Sequence, residues 1–158
     1  KYGWVDIGSS FLPSDIIAAF LYAQLENLVD IQNKRKEIWN YYYENLKSLS
    51  EKNFFRYPEI PSYATNNAHM FYIECNNLTE RNSLIDYLKE NGIYAVFHYL
   101  SLDKSPYYKD KHDGREMQNA DRYTDCLLRL PMYYELSRED LDYVILHFNK
   151  FFNREIER

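Results

Sequence analysis

Two polar stretches of the sequence carry side chains that could take part in chemistry, and the first of them is Gly8-Ser9-Ser10. These small residues come shortly before Pro13, whose fixed φ suits the first turn of a helix. Backbone N–H groups and hydroxyls beside a helix start can bind an anion such as phosphate. Many strand-to-helix turns share this composition, so an ordinary turn without a ligand is the alternative interpretation.

The second stretch is His98-Tyr99, which lies at the end of a predicted strand and before the longest polar segment, residues 101–118. A titratable side chain at a strand end, next to a loop, is a candidate for a binding or catalytic site. The alternative is that both residues only belong to the rim of the sheet. Residues 101–118 are predicted to form a loop that either orders on a ligand or partner or is simply flexible.

No complete catalytic or metal-binding set of residues is visible in the local sequence. Cys75 and Cys126 do not have the spacing of a metal site and have no histidine nearby in the sequence. The chain has only four glycines and no glycine-rich phosphate loop. The histidines are far apart and lack zinc-site spacing, and they are His69, His98, His112 and His147. The local motifs therefore predict no metal, and His147 is interpreted as a structural residue.

Composition and charge restrict the class of partner. The net charge of −5 and the pI near 5.4 provide no basic surface for phosphates, so nucleic acid is not expected as a partner. No apolar run approaches the roughly 18 residues of a membrane helix, and no signal segment opens the chain, so no membrane association is expected. The two cysteines favour the reducing cytoplasm. Seventeen tyrosines and nine phenylalanines are expected to fill the core or a subunit interface.

The elements that must position these residues begin with a long amphipathic helix. Apolar residues spaced by three and four predict a helix over residues 13–49, about 35 residues long and either straight or kinked. Such a helix extends about 50 Å, more than the remaining residues can cover. Its first half is therefore expected to pack on a missing domain or on a second subunit. Its charged residues 33–37 are predicted to be solvated.

The rest of the chain is predicted to alternate between short strands and helices. Residues 54–61 are interpreted as an extended linker because proline disfavours helix in the residue before it. The predicted fold class is therefore α/β, of the α+β type, with a small and mostly antiparallel sheet and helices packed on it. The predicted strands are residues 5–7, 68–75, 93–99 and 129–131, and the predicted helices begin near residues 79, 119 and 137. The first of these helices is expected to end at Asn91-Gly92. The last is expected to begin with a capping box at residues 137–140 and to bury an apolar stripe of Leu141, Val144, Ile145 and Phe148.

Several segments of the sequence resemble one protein family. Residues 2–15, with the sequence Tyr-Gly-Trp-Val-Asp-Ile-Gly-Ser-Ser-Phe-Leu-Pro-Ser-Asp, are similar to a segment of the DegT family of pyridoxal-phosphate-dependent nucleotide-sugar aminotransferases. Further similar segments follow in the order of the family, and they are residues 67–73, 95–99, 121–123 and 127–131. Because these motifs keep their register over most of the chain, the resemblance is specific.

The resemblance implies the C-terminal domain of a fold-type I pyridoxal-phosphate-dependent transferase. Residues 1–12 would then belong to a missing large domain, residues 13–49 to a connecting helix, and residues 50–158 to the small domain. The family's lysine, which bonds covalently to the cofactor, is expected upstream of Lys1. No catalytic residue is therefore expected in these 158 residues, and this fragment alone is expected to be inactive.

The resemblance also implies which residues lie at the cofactor. In most of the family an asparagine, in the turn that matches Gly8-Ser9-Ser10, reaches the cofactor phosphate of the neighbouring subunit. Here the matching residue is Ser10, and the usual arginine two positions later is Leu12. Gly8, Ser9 and Ser10 are therefore expected to bind pyridoxal 5'-phosphate, in a homodimer whose sites are shared between subunits.

A further family motif places residues near the substrate. The family often continues its His-Tyr strand with Pro-Leu-His, whereas this chain has Ser101-Leu102-Asp103. The resemblance accordingly implies that His98 and Tyr99 lie close to the substrate, and it gives Asp103 no role. His69, in another matched motif, is a third candidate, although packing would explain it equally well.

The implied reaction moves an amino group from glutamate to the C4 ketone of a dTDP-4-keto-6-deoxyhexose. The partners would be that nucleotide sugar, glutamate and a second subunit. Two alternatives remain at this point: a related aminotransferase that acts on a different nucleotide sugar, and a non-catalytic dimerisation or binding module of the same fold.

Overall fold

A computed structural model describes residues 3–8 and 12–156. Those residues form a small α/β unit with a four-stranded antiparallel sheet, in agreement with the predicted fold class. The elements in chain order are α1 (Asp15–Glu26), α2 (Leu28–Glu51), β1 (Phe55–Arg56), β2 (Tyr72–Cys75), α3 (Leu78–Glu90), β3 (Val96–Phe97), α4 (Gln118–Cys126), β4 (Leu127–Arg129) and α5 (Arg138–Ile156).

The long helix expected over residues 13–49 is divided into α1 and α2 at Asn27. The N–H of Asn27 bonds back to the carbonyls of Gln24 and Leu25, and its side-chain amide donates to the Ala23 carbonyl at 3.1 Å. With φ −102° and ψ 16°, Asn27 leaves the helical region. The predicted helix is therefore kinked rather than straight, because the asparagine side chain competes for backbone partners at this point.

The two helices differ in what covers them. In α2, the second half buries Ile38, Trp39, Tyr42, Leu46 and Leu49. In α1, no residue is buried, and Phe20 and Leu21 are 71% and 52% exposed. No helix within residues 3–8 and 12–156 is both long and apolar enough to cross a membrane.

The sheet has the strand order β1-β2-β4-β3, and every neighbouring pair is antiparallel. In the register, Ile73 of β2 lies opposite Leu128 of β4, and Phe55 of β1 lies opposite Cys75. The edge strand β1 comes from the segment that was predicted to be only an extended linker. The predicted strand over residues 5–7 does not form, since the Asp6 carboxylate accepts the N–H of Ile7 in a local bend.

Three other strands are shorter than predicted or shifted, for local reasons. The strand expected from residue 68 begins only at Tyr72, because Ala68 has φ 51° and donates its N–H to the side chain of Asn66. The strand expected over residues 93–99 shrinks to β3. The strand expected at residues 129–131 forms at Leu127–Arg129, and Pro131 has no N–H for a ladder.

The core lies between one face of the sheet and helices α2, α3 and α5. Ile73 and Leu128 contribute from the strands, and Leu84 of α3 and Phe148 of α5 pack in the same cluster. The predicted capping box begins α5, since the Ser137 hydroxyl accepts the N–H of Asp140 at 3.0 Å. Because side chains alternate along a strand, the residues between these core positions point to the opposite face of the sheet.

Candidate functional site

The opposite face of the sheet, called the polar face below, carries Arg56 of β1, Tyr72 and Glu74 of β2, and Arg129 of β4. Arg56 lies opposite Glu74, and Tyr72 lies opposite Arg129 in the strand register. Directly opposed residues share a face and can interact. The polar face therefore has two ends, one around Glu74 and one around Arg129.

At the Glu74 end, a buried carboxylate is shared by two arginines. Glu74 is 5% exposed, and its Oε1 accepts from Arg56 Nη2 at 3.0 Å. Arg122 of α4 binds both carboxylate oxygens, with Nη2 to Oε2 at 2.7 Å. The hydrogen bond to Glu74 raises the pKa of Arg122. A cleft of about 440 Å³ opens beside these side chains, and Glu59 also lines it.

At the Arg129 end, basic groups come together without a carboxylate. Arg129 Nη2 donates to the Phe97 carbonyl at 3.3 Å, and its Nε is buried. The Nδ1 of His98 is buried as well. Neither of these two nitrogens has a hydrogen-bond partner among the described residues. Such unsatisfied buried groups are rare in proteins and require an explanation.

The surroundings of His98 favour its neutral form. Burial lowers the pKa of His98, and the positive charges of Arg129 and His69 lower it further. His98 is therefore neutral near pH 7, with a ring nitrogen that can donate or accept a hydrogen bond. Among the sequence candidates, His98 lies at the Arg129 end of the polar face, since Arg129 donates to the carbonyl of the residue before it.

His69 is held in place by its own segment and by α2. Its Nδ1 lies 2.9 Å from the side-chain oxygen of Asn67. Arg35 of α2 donates to the His69 carbonyl and, at 3.1 Å, to the Ala68 carbonyl. Arg35 is therefore a partly buried anchor, which corrects the prediction that residues 33–37 are only a solvated face.

Tyr99 joins the N-terminal segment to this end of the sheet. Its ring centroid lies 6.2 Å from that of Trp4 and 4.6 Å from that of His98. The Trp4 carbonyl accepts the N–H of Tyr107 at 3.0 Å. Gly8 is exposed, and a Cβ at that position would lie within 4 Å of no atom of the residues that the structure describes. The other two residues expected at the cofactor, Ser9 and Ser10, lie outside the described residues.

The segment 101–117 forms turns and bends without a helix or strand, as predicted for the loop. Ser101 and Ser105 are buried in it. The Ser101 hydroxyl donates to Asp103, and this hydrogen bond lowers the pKa of Asp103. Lys104 forms an ion pair with Asp121 of α4, which attaches the loop to the helix beside the polar face.

The remaining candidates, His147 and the two cysteines, are buried in surroundings that fit a structural role. His147 is 5% exposed, and its Nδ1 lies 3.1 Å from the Tyr87 hydroxyl, in agreement with its interpretation as a structural residue. Cys75 and Cys126 are both buried free thiols, and burial raises the pKa of each. A buried thiol with a raised pKa is a poor nucleophile. Within the described residues, no group of three metal-ligating side chains is present.

Arg129 is the site residue that the sequence analysis missed. It was assigned only to a short strand, and no motif marked it. The available signal was the alternation Leu128-Arg129-Leu130, in which both leucines are buried and the arginine between them faces the other side of the sheet.

Known structures share this fold, and all of those described here are aminotransferases. Helicobacter pylori PseC, an aminotransferase involved in the biosynthesis of pseudoaminic acid, matches 94% of this chain and 40% of its own, with a TM-score of 0.77 and 20% identity. The match to an aminotransferase from Brucella abortus covers 85% of this chain and 34% of that protein, with a TM-score of 0.70 and 29% identity. The match to the PLP form of Spr1654 from Streptococcus pneumoniae covers 89% of this chain and 36% of that protein, with a TM-score of 0.74 and 24% identity.

These likenesses confirm the predicted fold of a fold-type I transferase domain. The chain belongs to the DegT/DnrJ/EryC1/StrS aminotransferase family, whose sequence pattern matches residues 2–149. The chain spans between 34% and 40% of the lengths of the three solved proteins.

Proposed function

We propose that the full-length protein is a pyridoxal-phosphate-dependent aminotransferase that transfers an amino group from glutamate to the C4 ketone of a dTDP-4-keto-6-deoxyhexose. The observation that carries this proposal is the family match over residues 2–149. The choice of this sugar rests on the sequence resemblance, which points to dTDP-4-amino-4,6-dideoxygalactose transaminase. A cytoplasmic location follows from such a nucleotide-sugar substrate and from the two free thiols.

The cofactor supplies the electron sink for amino transfer when it is bound. Gly8, Ser9 and Ser10 would hold its phosphate. Gly8 is exposed and has no side chain, so a phosphate could approach its backbone closely. Ser9 and Ser10 would add hydroxyl donors, and the lysine that bonds to the cofactor would lie in the upstream part of the protein.

The residues at the Arg129 end would form part of the sugar-binding side of the site. His98 is neutral near pH 7, so it can accept a hydrogen bond from a sugar hydroxyl, which a protonated imidazole cannot do. Tyr99 would shield that contact from water with its ring beside Trp4. His69 would face the same ligand from the segment before β2.

The exposed face of α1 supports the remaining part of the proposal, a homodimer with shared sites. Ile17, Phe20 and Leu21 are all more than half exposed and lie on one helix. Contiguous exposed apolar residues mark an interaction surface. In the full-length protein this face would pack on the large domain or on the second subunit.

The dimer is tested by light scattering on the full-length protein. We expect a dimeric mass for the wild type and a loss of dimer, or of folded protein, for Phe20→Asp, because the new charge would be buried. Gln24→Asp is the matched control, since it adds the same charge to an exposed polar position of α1. A monomeric wild type would contradict the proposal.

The reaction is tested with ¹⁵N-labelled glutamate, the full-length protein and a panel of keto-sugar nucleotides. We expect the visible absorbance of bound pyridoxal phosphate and the appearance of ¹⁵N in the 4-amino sugar nucleotide, measured by mass spectrometry. Labelling of a different sugar in the panel would support the related-enzyme alternative. Folded protein that neither binds the cofactor nor labels any sugar would support the non-catalytic module instead.

A further inference from the structure

Arg129 differs from the other arginine of the four strands because no carboxylate among the described residues forms an ion pair with it. In β4, it lies between Tyr72 of β2 and Val96 of β3. Its side chain donates to the Phe97 carbonyl, and no carboxylate among the described residues lies within ion-pair distance of it. A neutral carbonyl satisfies one N–H group but leaves the positive charge of the guanidinium uncompensated.

The neighbours of Arg129 do not supply the missing negative charge. His98 follows the Phe97 residue whose carbonyl accepts from Arg129, and an imidazole cannot supply a negative charge. The carboxylate that comes next along the polar face is Glu74, and both of its oxygens are already occupied by Arg56 and Arg122. The cluster is therefore basic and rich in hydrogen-bond donors.

Two buried nitrogen atoms without hydrogen-bond partners support the same conclusion. Both Arg129 Nε and His98 Nδ1 are buried without a hydrogen-bond partner among the described residues. Leaving a partly buried guanidinium without an anion destabilises a protein unless a ligand completes the site. Phosphate and carboxylate oxygens are the acceptors that fit a guanidinium best, because they can take two parallel hydrogen bonds.

We propose that Arg129, which donates to the carbonyl next to His98, binds an oxyanion of the substrate. This inference rests on the proposed function, which supplies two sources of that chemistry: the diphosphate of the nucleotide sugar and a carboxylate of the amino donor. Oxyanion binding would place the missing negative charge where the structure leaves the positive charge unbalanced. Arg129 then determines which anionic substrate is retained.

The test is calorimetric binding to full-length wild type, Arg129→Gln and Arg129→Lys, with dTDP in one arm and 2-oxoglutarate in the other. We expect Arg129→Gln to lower the binding affinity for one of the two ligands by about tenfold to a hundredfold, as is typical for the loss of a charge-assisted hydrogen bond. Arg129→Lys should retain part of the affinity, because lysine keeps the positive charge but lacks the planar guanidinium that donates two parallel hydrogen bonds. Arg138→Gln removes an arginine that pairs with Asp142 on the helical side of the domain, and it should bind like the wild type.

The ligand whose affinity falls in Arg129→Gln identifies the source of the oxyanion. Weaker binding of dTDP indicates the diphosphate, and weaker binding of 2-oxoglutarate indicates the carboxylate. Equal affinities of wild type and Arg129→Gln in both arms would overturn the inference, and so would a wild type that binds neither ligand. Should Arg129→Gln fail to fold, the comparison between Arg129→Lys and wild type decides. Because binding is measured without turnover, a protein that binds dTDP through Arg129 but transfers no amino group would contradict the proposed function alone.

Discussion

The two ends of the polar face carry the same kind of side chain in opposite electrostatic situations. At the Glu74 end, one buried carboxylate satisfies Arg56 and Arg122, and the ion pairs join β1, β2 and α4. At the Arg129 end, a guanidinium donates to the backbone carbonyl next to His98 and forms no ion pair with a described residue. The first arrangement is complete without a ligand, and the second is not. Stability and binding are thus separated along a single sheet face.

The largest effect on stability is expected at the complete end. Glu74→Ala should lower the free energy of unfolding by about 1–3 kcal/mol, because it removes charge-assisted hydrogen bonds from a buried position. Chemical denaturation measures the change. Glu59→Ala, an exposed carboxylate at the same cleft, is the matched control and should stay within about 0.5 kcal/mol of the wild type. Equal losses in both variants would show that Glu74 has no special role.

At the incomplete end, removal of the arginine should leave stability nearly unchanged. Arg129→Met should alter the free energy of unfolding by less than about 0.5 kcal/mol, or should increase it, because an unbalanced and partly buried charge is replaced by an apolar chain of similar length. The same denaturation experiment applies. A loss as large as that of Glu74→Ala would mean that Arg129 stabilises the fold, and the contrast between the two ends would disappear.

The smallest effect concerns the titration of His98. Its pKa is lowered, so the unfolded chain takes up a proton at this residue before the folded protein does as pH falls below about 6.5. The contribution of His98 to the free energy of unfolding is therefore zero above that pH. As pH falls further, the contribution becomes increasingly destabilising, and it stays constant once pH is below the folded pKa.

Arg129→Met should raise the pKa of His98 only in part, because burial is the larger cause of the shift, and His69→Asn should raise it less. An NMR titration of the His98 ring measures both changes. An unchanged titration in Arg129→Met would show that the two side chains do not interact.

The sequence predicted the parts of this fold that depend on local patterns. The capping box at Ser137 and the apolar stripe of α5 appear as expected, and α3 ends at Asn91-Gly92, where Gly92 has φ 75°. These signals involve residues within about one helical turn of each other, so no knowledge of the tertiary structure is needed to interpret them.

The parts that failed depend on contacts between distant residues. The edge strand β1 has only two residues and exists because Phe55 and Arg56 pair with β2. The Arg129 end requires the register in which β4 lies between β2 and β3, and a single sequence does not reveal that order. His98 was identified from its position at a strand end, whereas its charged neighbours come from segments about 30 residues away.

The most direct test of the contrast between the two ends is the steady-state kinetics of full-length Arg129→Gln and Arg56→Gln with glutamate and the keto-sugar nucleotide. Each variant removes one arginine from the polar face. We expect kcat/KM to fall by about tenfold to a hundredfold for Arg129→Gln and by less than about twofold for Arg56→Gln, whose side chain is 64% exposed and only shares Glu74. Equal changes in both variants, or no change in either, would contradict the assignment of binding to the Arg129 end and of structural support to the Glu74 end.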